Sequence, residues 1–108
     1  AILTDIVHKE WSGVSVKKHK GMKGLKSQNL RDHMTEAELI FTALAELSTR
    51  QIAESAEATG MPENKRAAKT GGRLAKRARL DLEGRTGKKV VSKKSFLAPD
   101  RQPKELRK

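Results

Sequence analysis

A pair of glycines inside a basic helical segment constrains the fold more than any other feature of this sequence. The segment 61–89 has the apolar spacing of an α-helix, with Pro62 suited to its first turn and a stop near Gly84 to Gly87. Glycine inside a helix costs about 1 kcal/mol relative to alanine. Gly71 and Gly72 therefore predict a compensating feature, most simply another helix backbone that crosses very close. A local kink at the pair is the alternative.

The two faces of this predicted helix differ in chemistry. At 100° per residue, one side carries small and apolar residues and the other carries cations. We therefore expect the first side to pack closely and the second to carry charge. The apolar side holds Ala67, Ala68, Gly71, Gly72, Leu74, Ala75, Ala78 and Leu82, and the cationic side holds Lys65, Arg66, Lys69, Arg73, Lys76 and Arg77.

Charge along the chain is arranged in three blocks, which together with Asp5 and Asp32 outside them give a net charge of +11. Residues 9–31 carry seven lysines and arginines against one acid, residues 35–63 carry six acids against one arginine, and residues 64–108 carry sixteen cations against four acids. The acidic block can neutralise part of the basic surface, and the remainder attracts a polyanion. Nucleic acid is the expected polyanion.

The expected nucleic-acid contacts fall in both basic blocks. The segment 17–26 places five lysines around two glycines, which is poorly suited to a rigid helix but well suited to phosphates rather than to base edges. A solvated loop is the alternative for this segment. The residues expected to contact nucleic acid are Lys17, Lys18, Lys20, Lys23, Lys26, Lys69, Arg73, Lys76 and Arg77.

Two shorter helices are predicted before the acidic block. The apolar spacing from Ile2 to Val7 predicts a helix that reaches Trp11, with a strand as the alternative because of its β-branched residues. The single tryptophan is expected to anchor the core, with base stacking as the alternative. Ser12 is a possible N-cap for a short helix at residues 14–20.

The acidic block is expected to contain the core helix. Thr35 and Glu38 have the spacing of a capping box, which predicts a helix that begins at Glu36 and is apolar over most of its circumference. The apolar stripe changes phase at Ser48–Thr49, which predicts a new helix at residues 49–59. One long helix between two neighbours is the alternative.

Composition predicts that the chain needs a partner. With 108 residues, 35% hydrophobic and 3% aromatic, it cannot build a large core alone, and its start at Ala1 suggests a piece of a longer protein. We expect a small all-α domain over residues 1–97, an intertwined or packed helical homodimer, with a possible short strand or extended arm at 88–92 and a disordered or tag-like tail at 98–108. The residues expected to pack are Leu39, Ile40, Leu44, Leu47, Gly71, Gly72 and Ala75.

Nothing in the sequence predicts catalysis or a cofactor. There are no cysteines, and the three histidines stand at no metal-ligand spacing. No apolar run has the length of a membrane span, and a cytoplasmic location is expected. Residues 48–79 also allow a helix-turn-helix interpretation, with Arg73 and Arg77 reading guanines, and a purely structural dimerisation tail is a further alternative.

Several motifs occur together in a fixed order along the chain. They are KGLKSQNLRD at 23–32, the capped helix after His33-Met34, ENK at 63–65, AK-GG-AKRAR at 68–79 and TGKKVVS at 86–92. With them the chain resembles the C-terminal region of the bacterial DNA-damage-inducible protein D family, which overlaps phage antirepressor-like proteins with a BRO-type N-terminal domain. The resemblance covers residues 11–92, with departures near 11–13 and after Ser48.

The resemblance implies a non-enzymatic protein of the DNA-damage (SOS) response or of prophage regulation. Members of this family are linked to the modulation of recombinase filaments on single-stranded DNA. The resemblance implies no catalytic residue, and no nucleic-acid contact residue is carried over from it. We therefore expect a regulatory binding module with nucleic acid, or a DNA-bound recombinase filament, as its partner.

Overall fold

Residues 2–93, the part of the chain described by the computed structural model, form four α-helices and one short 3-10 turn. No strand occurs among these residues, which confirms the predicted all-α class, and residues 88–92 form an arm without regular structure. The predicted tail at 98–108 lies outside the described residues. The elements are α1 (Ile2–Ser12), α2 (Val16–Met22), the 3-10 turn (Leu30–His33), α3 (Glu36–Ser55) and α4 (Met61–Thr86).

Local hydrogen bonding sets the ends of the two long helices. The Thr35 hydroxyl accepts from the Glu38 N–H at 3.2 Å, and the Glu38 carboxylate accepts from the Thr35 N–H at 2.8 Å, so the predicted capping box is confirmed. Gly87 ends α4 with φ of 73°, a left-handed conformation in which glycine has no Cβ penalty. Both predicted boundaries follow from chemistry within four residues of the helix end.

The predicted short helix exists but begins two residues later than expected. Ser15, not Ser12, caps α2, since its hydroxyl accepts from the Lys18 N–H at 3.0 Å. The Ser12 hydroxyl instead donates to the His8 carbonyl at 2.6 Å inside α1. The expectation that residues 17–26 are unsuited to a helix is wrong as far as Met22, because α2 docks on α1 and its cap offsets the cost of Gly21.

The predicted break at Ser48–Thr49 is wrong, and the alternative of one long helix is correct. α3 runs without interruption from Glu36 to Ser55. The backbone at Thr49 lies against Gly71 of α4, and Ala45 one turn earlier is fully buried. Tertiary packing on this side holds the helix across the position where the apolar stripe changes phase.

The glycine pair lies where helices of the same chain cross α4. A Cβ at Gly71 would lie 2.5 Å from the Thr49 backbone nitrogen and 2.7 Å from its Cα. A Cβ at Gly72 would meet the Glu10 side chain and lie 3.1 Å from the Val7 carbonyl oxygen of α1. The predicted close approach is therefore present, and α4 continues through the pair as helix rather than ending there. In this fold the two glycines are occupied by α1 and α3 and are not open to a second copy.

The core sits where α1, α3 and α4 meet. Trp11 is fully buried and stacks on Phe41 with ring centroids 6.1 Å apart, so the expectation that it anchors the core is confirmed. α3 and α4 form an antiparallel pair and share the most extensive interface, with α1 packed across both. The buried apolar cluster consists of Val7, Trp11, Phe41, Ala45, Ala68, Ala75 and Val90.

The stripe predicted as the core face of α3 is turned outward. Ala45 on the opposite side offers little bulk, so α1 and α4 approach closely there and leave the larger residues outside. α3 is consequently less buried than expected for the core helix that the sequence predicted. Ala75, Gly71 and Gly72 of the expected packing residues are buried, whereas Leu39, Ile40 and Leu47 are exposed and Leu44 is half-buried; Leu74 and Leu82 of α4 are exposed as well.

Candidate nucleic-acid interface

Four lysines and one acid, Asp5, line a shallow depression between α1 and α2. The Ser15 cap starts α2 beside α1, which brings Lys17 and Lys20 near Lys9 of α1 and Lys26 from the loop after α2. Of these, Lys17, Lys20 and Lys26 belong to the contacts expected from sequence, and Lys9 does not. Lys18 is exposed but does not line the depression. The depression gathers cations from three segments of the chain.

The second cationic surface is the outer face of α4. Lys69, Arg73, Lys76 and Arg77 are all exposed, on the helix side away from the buried Ala68 and Ala75. Arg73 also lies 3.4 Å from the Glu10 carboxylate, but the pair is solvent-exposed and holds the guanidinium weakly. These four expected residues remain accessible to an anionic partner.

Lys23 is the one expected contact that the fold removes from the surface. Its side chain is fully buried, and its ammonium lies 2.7 Å from the Glu38 carboxylate. The ammonium also donates to the Ser92 carbonyl at 2.9 Å. A lysine is buried only when it is paired, and here the partner is an acid of the capping box. The prediction that Lys23 contacts nucleic acid is therefore wrong for this fold.

The Glu38 carboxylate is the centre of a buried polar network. One oxygen accepts from the Lys23 ammonium at 2.7 Å and the Thr35 N–H at 2.8 Å. The other accepts from His19 Nε2 at 2.7 Å and the Ser92 N–H at 3.0 Å. The carboxylate thus ties α2, the start of α3 and the C-terminal arm together.

A histidine pair extends this network into α1. His8 Nε2 lies 3.0 Å from His19 Nδ1, and both rings are buried. Because His19 Nε2 faces a carboxylate, it carries the proton in the neutral ring, so Nδ1 accepts and His8 Nε2 donates. The result is a chain of hydrogen bonds from α1 through α2 to α3.

The network shifts the pKa of its members. Burial lowers the pKa of His8 from 6.5 to about 4, and the neighbouring His19 adds to this effect. Burial alone would raise the pKa of Glu38, but hydrogen bonds from His19, Lys23 and the backbone of Thr35 and Ser92 outweigh it and lower the pKa to about 2. At neutral pH His8 is therefore uncharged and Glu38 is ionised.

We expect the free energy of unfolding to fall with acid in two overlapping steps. The unfolded chain takes up a proton at His8 below about pH 6.5, before the folded chain does at about pH 4, so acid favours unfolding in that window. Glu38 takes up a proton in the unfolded chain at about pH 4.5 and in the folded chain only at about pH 2, so acid also favours unfolding in this second window. Each group contributes at most about 1.4 kcal/mol per pH unit.

Urea unfolding at pH 7.5, 6.0, 5.0 and 4.0 measures this dependence. The variant His8→Gln should lose the part of the slope between pH 6.5 and 4.5, whatever its stability at pH 7.5. A free energy of unfolding in the native chain that stays level from pH 7.5 to 4.5 would contradict the assignment of a neutral buried His8.

A second buried carboxylate holds the start of the C-terminal arm. Glu83 of α4 accepts from Arg79 at 3.0 Å through both oxygens and from the Val90 N–H at 2.9 Å, and Arg79 Nε donates to the Trp11 carbonyl at 2.7 Å. Although burial opposes it, these partners, the Val90 N–H first, lower the pKa of Glu83. Val90 consequently turns back onto the core instead of continuing outward.

Sequence reasoning did not find either network. Glu38 was recognised only as half of a capping box, and the histidines were set aside for lack of metal spacing. The one available signal was a glutamate at the cap that precedes the most apolar helix, because such a side chain becomes buried when that helix packs. Nothing in the sequence indicates that residue 8 contacts residue 19, or that residue 38 contacts residue 92.

Among the described residues 2–93, no group of three His, Cys, Asp or Glu side chains is arranged to hold a metal ion. The same residues include no helix with the length and hydropathy needed to span a membrane. No family model, curated protein or solved structure matches the chain.

Proposed function

We propose that this chain is a non-enzymatic regulatory module that binds the phosphate backbone of nucleic acid through its two cationic surfaces. In the context that the motif resemblance implies, it belongs to a DNA-damage-inducible or antirepressor-like protein of bacterial or phage origin. Its partner is nucleic acid, either alone or coated with a recombinase filament. The lysine depression between α1 and α2 is the principal contact, and the outer face of α4 is the second.

The convergence of unpaired lysines carries this proposal. Lys9, Lys17, Lys20 and Lys26 line one depression together with a single acid, Asp5, and none of the four lysines forms an ion pair with a residue between 2 and 93. Like charges held close together repel one another, and this arrangement is relieved by a polyanion that spans them. Each phosphate that is neutralised also releases bound counterions, which favours association at low salt.

The side chains available favour phosphate contacts over base reading. Lysine ammonium groups are flexible point charges that suit phosphate oxygens, and they carry no sequence information. The aromatic rings of Trp11 and Phe41 are buried, so neither offers a surface on which a base could stack. Binding with little sequence preference is therefore expected from the described residues.

The histidine–glutamate network supports a structural role rather than catalysis. His19 and Glu38 are both fully buried, so neither can touch a substrate. α3 is 20 residues long and packs along α4 as an antiparallel pair, and this geometry gives no support to the helix-turn-helix alternative.

Replacing Lys17, Lys20 and Lys26 with alanine together should weaken binding to a single-stranded oligonucleotide by at least 10-fold, because three phosphate contacts are lost. For the native chain with about five phosphate contacts, affinity should fall roughly 100-fold between 50 and 200 mM salt. The slope of log affinity against log salt should become shallower by about 0.7 for each contact removed. Fluorescence anisotropy at several salt concentrations measures both quantities.

A control triple variant carries the same change of net charge elsewhere. Arg50, Lys88 and Lys89 are exposed and lie outside both cationic surfaces, so their replacement by alanine should change affinity less than 3-fold. Replacing Lys69, Lys76 and Arg77 with alanine measures how much the outer face of α4 contributes to the affinity for the oligonucleotide. Equal losses for the depression variant and the control would mean that total charge, not this depression, determines binding.

A further inference from the structure

A cavity of about 140 Å³ lies between α1, the 3-10 turn and α3. Its walls are mainly apolar and include Val7, Leu30 and Met34, all of which are buried. In an apolar protein core, a cavity of roughly 150 Å³ accepts one benzene ring. The space is therefore large enough for one six-membered ring, and a nucleotide is too large for it.

Two ring nitrogens beside this cavity lack hydrogen-bond partners among residues 2–93. Trp11 and His8 lie one turn apart on α1, and both line the cavity. Trp11 Nε1 is buried and unpaired. His8 donates to His19 through Nε2, and its Nδ1 accepts from none of the described residues. The indole N–H is a donor and His8 Nδ1 is an acceptor, so a molecule that both accepts and donates can satisfy the two nitrogens.

The charges around the cavity already balance one another. Arg31 and Glu46 line it and form an ion pair at 2.6 Å with partly exposed side chains. Burial lowers the pKa of His8 to about 4, so this ring is neutral at neutral pH. A charged ligand would lose its hydration without meeting an unpaired counter-charge, which is costly. The cavity therefore favours a neutral ligand.

We propose that this cavity binds a small neutral ring compound that carries one hydroxyl group and is about the size of phenol. The hydroxyl oxygen accepts from Trp11 Nε1, the hydroxyl hydrogen is donated to His8 Nδ1, and the ring packs on the apolar wall. The centroids of the His8 and Trp11 rings are 5.6 Å apart, so one hydroxyl between the rings serves both nitrogens. The proposal does not depend on nucleic-acid binding, since no residue of the two cationic surfaces lines the cavity.

Methyl NMR of the full chain, labelled at its three methionines and titrated with phenol, tests the proposal. Met34 lines the cavity, whereas Met22 and Met61 do not and serve as internal controls. The Met34 methyl group and the indole N–H of Trp11, the single tryptophan, should shift and saturate together, with a dissociation constant of about 1 mM. Equal shifts of all three methyl groups, or no shift of any, would overturn the proposal.

A comparison with toluene separates recognition of the hydroxyl group from simple filling of the cavity. In the native chain, phenol should bind more tightly than toluene by about 3-fold or more, because only phenol pairs with the two nitrogens. Trp11→Phe removes the donor and should lower the ratio of phenol affinity to toluene affinity by about 10-fold. If toluene binds the native chain as tightly as phenol, or if this ratio is unchanged in Trp11→Phe, the cavity selects by size alone and the proposal is wrong.

A variant outside the aromatic core tests the location of the site. Val16 is half-buried and lines the cavity, so Val16→Phe occupies part of the space and should weaken phenol binding by about 10-fold. Leu80→Phe is the control, since Leu80 is 49% exposed on α4 and away from the cavity, and it should change the affinity by no more than about 2-fold. Equal effects of the two variants would contradict binding in this cavity. Circular dichroism checks the fold of each variant, and the Val16 variant and the toluene comparison in the native chain decide the matter even if Trp11→Phe does not fold.

Discussion

Replacing Gly71 with alanine is expected to destabilise the fold by about 3 kcal/mol, the upper part of the range for overpacking a closely packed site. The new methyl group would overlap the backbone of Thr49, 2.5 Å from its nitrogen and 2.7 Å from its Cα. A backbone inside a continuous helix cannot rotate away as a side chain can, so α3 and α4 must separate. The same separation would expose Ala45 and Ala75, which are now fully buried.

The measurement is thermal and urea unfolding of the variant beside a matched alanine substitution in the same helix. Gly84 lies in α4 with nothing within 4 Å of a Cβ built on it. Gly84→Ala should therefore raise stability by about 0.5–1 kcal/mol through helix propensity alone. For Gly71→Ala we expect a decrease of the melting temperature of roughly 10–20 °C. If both substitutions stabilise the protein, Gly71 is merely a poor helix former and the close crossing is wrong.

Replacing Glu38 with glutamine should cost on the order of 3–5 kcal/mol, as breaking a buried ion pair does. The Lys23 ammonium, whose side chain is fully buried, would lose its counter-charge. The carboxylate also accepts hydrogen bonds at both oxygens from His19, Thr35 and Ser92. A glutamine amide offers an NH₂ group on one side, which cannot accept from any of these donors.

Two further variants test whether the loss of stability comes from this hydrogen-bond network or from any substitution in the first turn of α3. Glu36→Gln changes an exposed carboxylate in the same first turn and should alter the free energy of unfolding by no more than about 0.5 kcal/mol. Lys23→Met combined with Glu38→Gln removes the unpaired charge and should recover part of the loss. The proposed network would be contradicted by equal effects of Glu36→Gln and Glu38→Gln.

Local chemistry explains the predictions that were correct. The capping box at Thr35 and the left-handed Gly87 act within four residues of their helix ends, so sequence spacing alone identifies them. The prediction from the glycine pair is less complete. The unfavourable helix propensity of glycine predicts that another backbone packs close to the pair, but it does not identify that backbone. The structure supplies that identity, with Thr49 against Gly71 and Glu10 against Gly72.

The predictions that were wrong depended on which face of a helix meets which neighbour. An apolar stripe at Ile40, Leu44 and Leu47 has the periodicity of a core face, yet α1 and α4 pack on the side of Phe41 and Ala45. Periodicity shows which side of a helix is apolar, but it does not show which part of the protein packs on that side. The wrong prediction of a break at Ser48–Thr49 has the same cause. The apolar stripe before Ser48 and the one after it lie on different sides of α3, and periodicity does not say that one continuous helix can meet different neighbours on those sides.

The sequence by itself determined the helical class, the start of α3, both ends of α4, the close crossing at the glycines and the division of α4 into a packing face and a cationic face. Each of these follows from interactions between residues a few positions apart or from the intrinsic cost of a residue type. Only the tertiary structure decided that Lys23 is buried against Glu38 while Lys17, Lys20 and Lys26 gather with Lys9 around one depression. Five lysines in one short segment are equivalent by composition. They differ in the structure because the docking of α2 on α1 buries the Lys23 ammonium beside a carboxylate, leaves Lys20 half-buried and leaves the other three exposed.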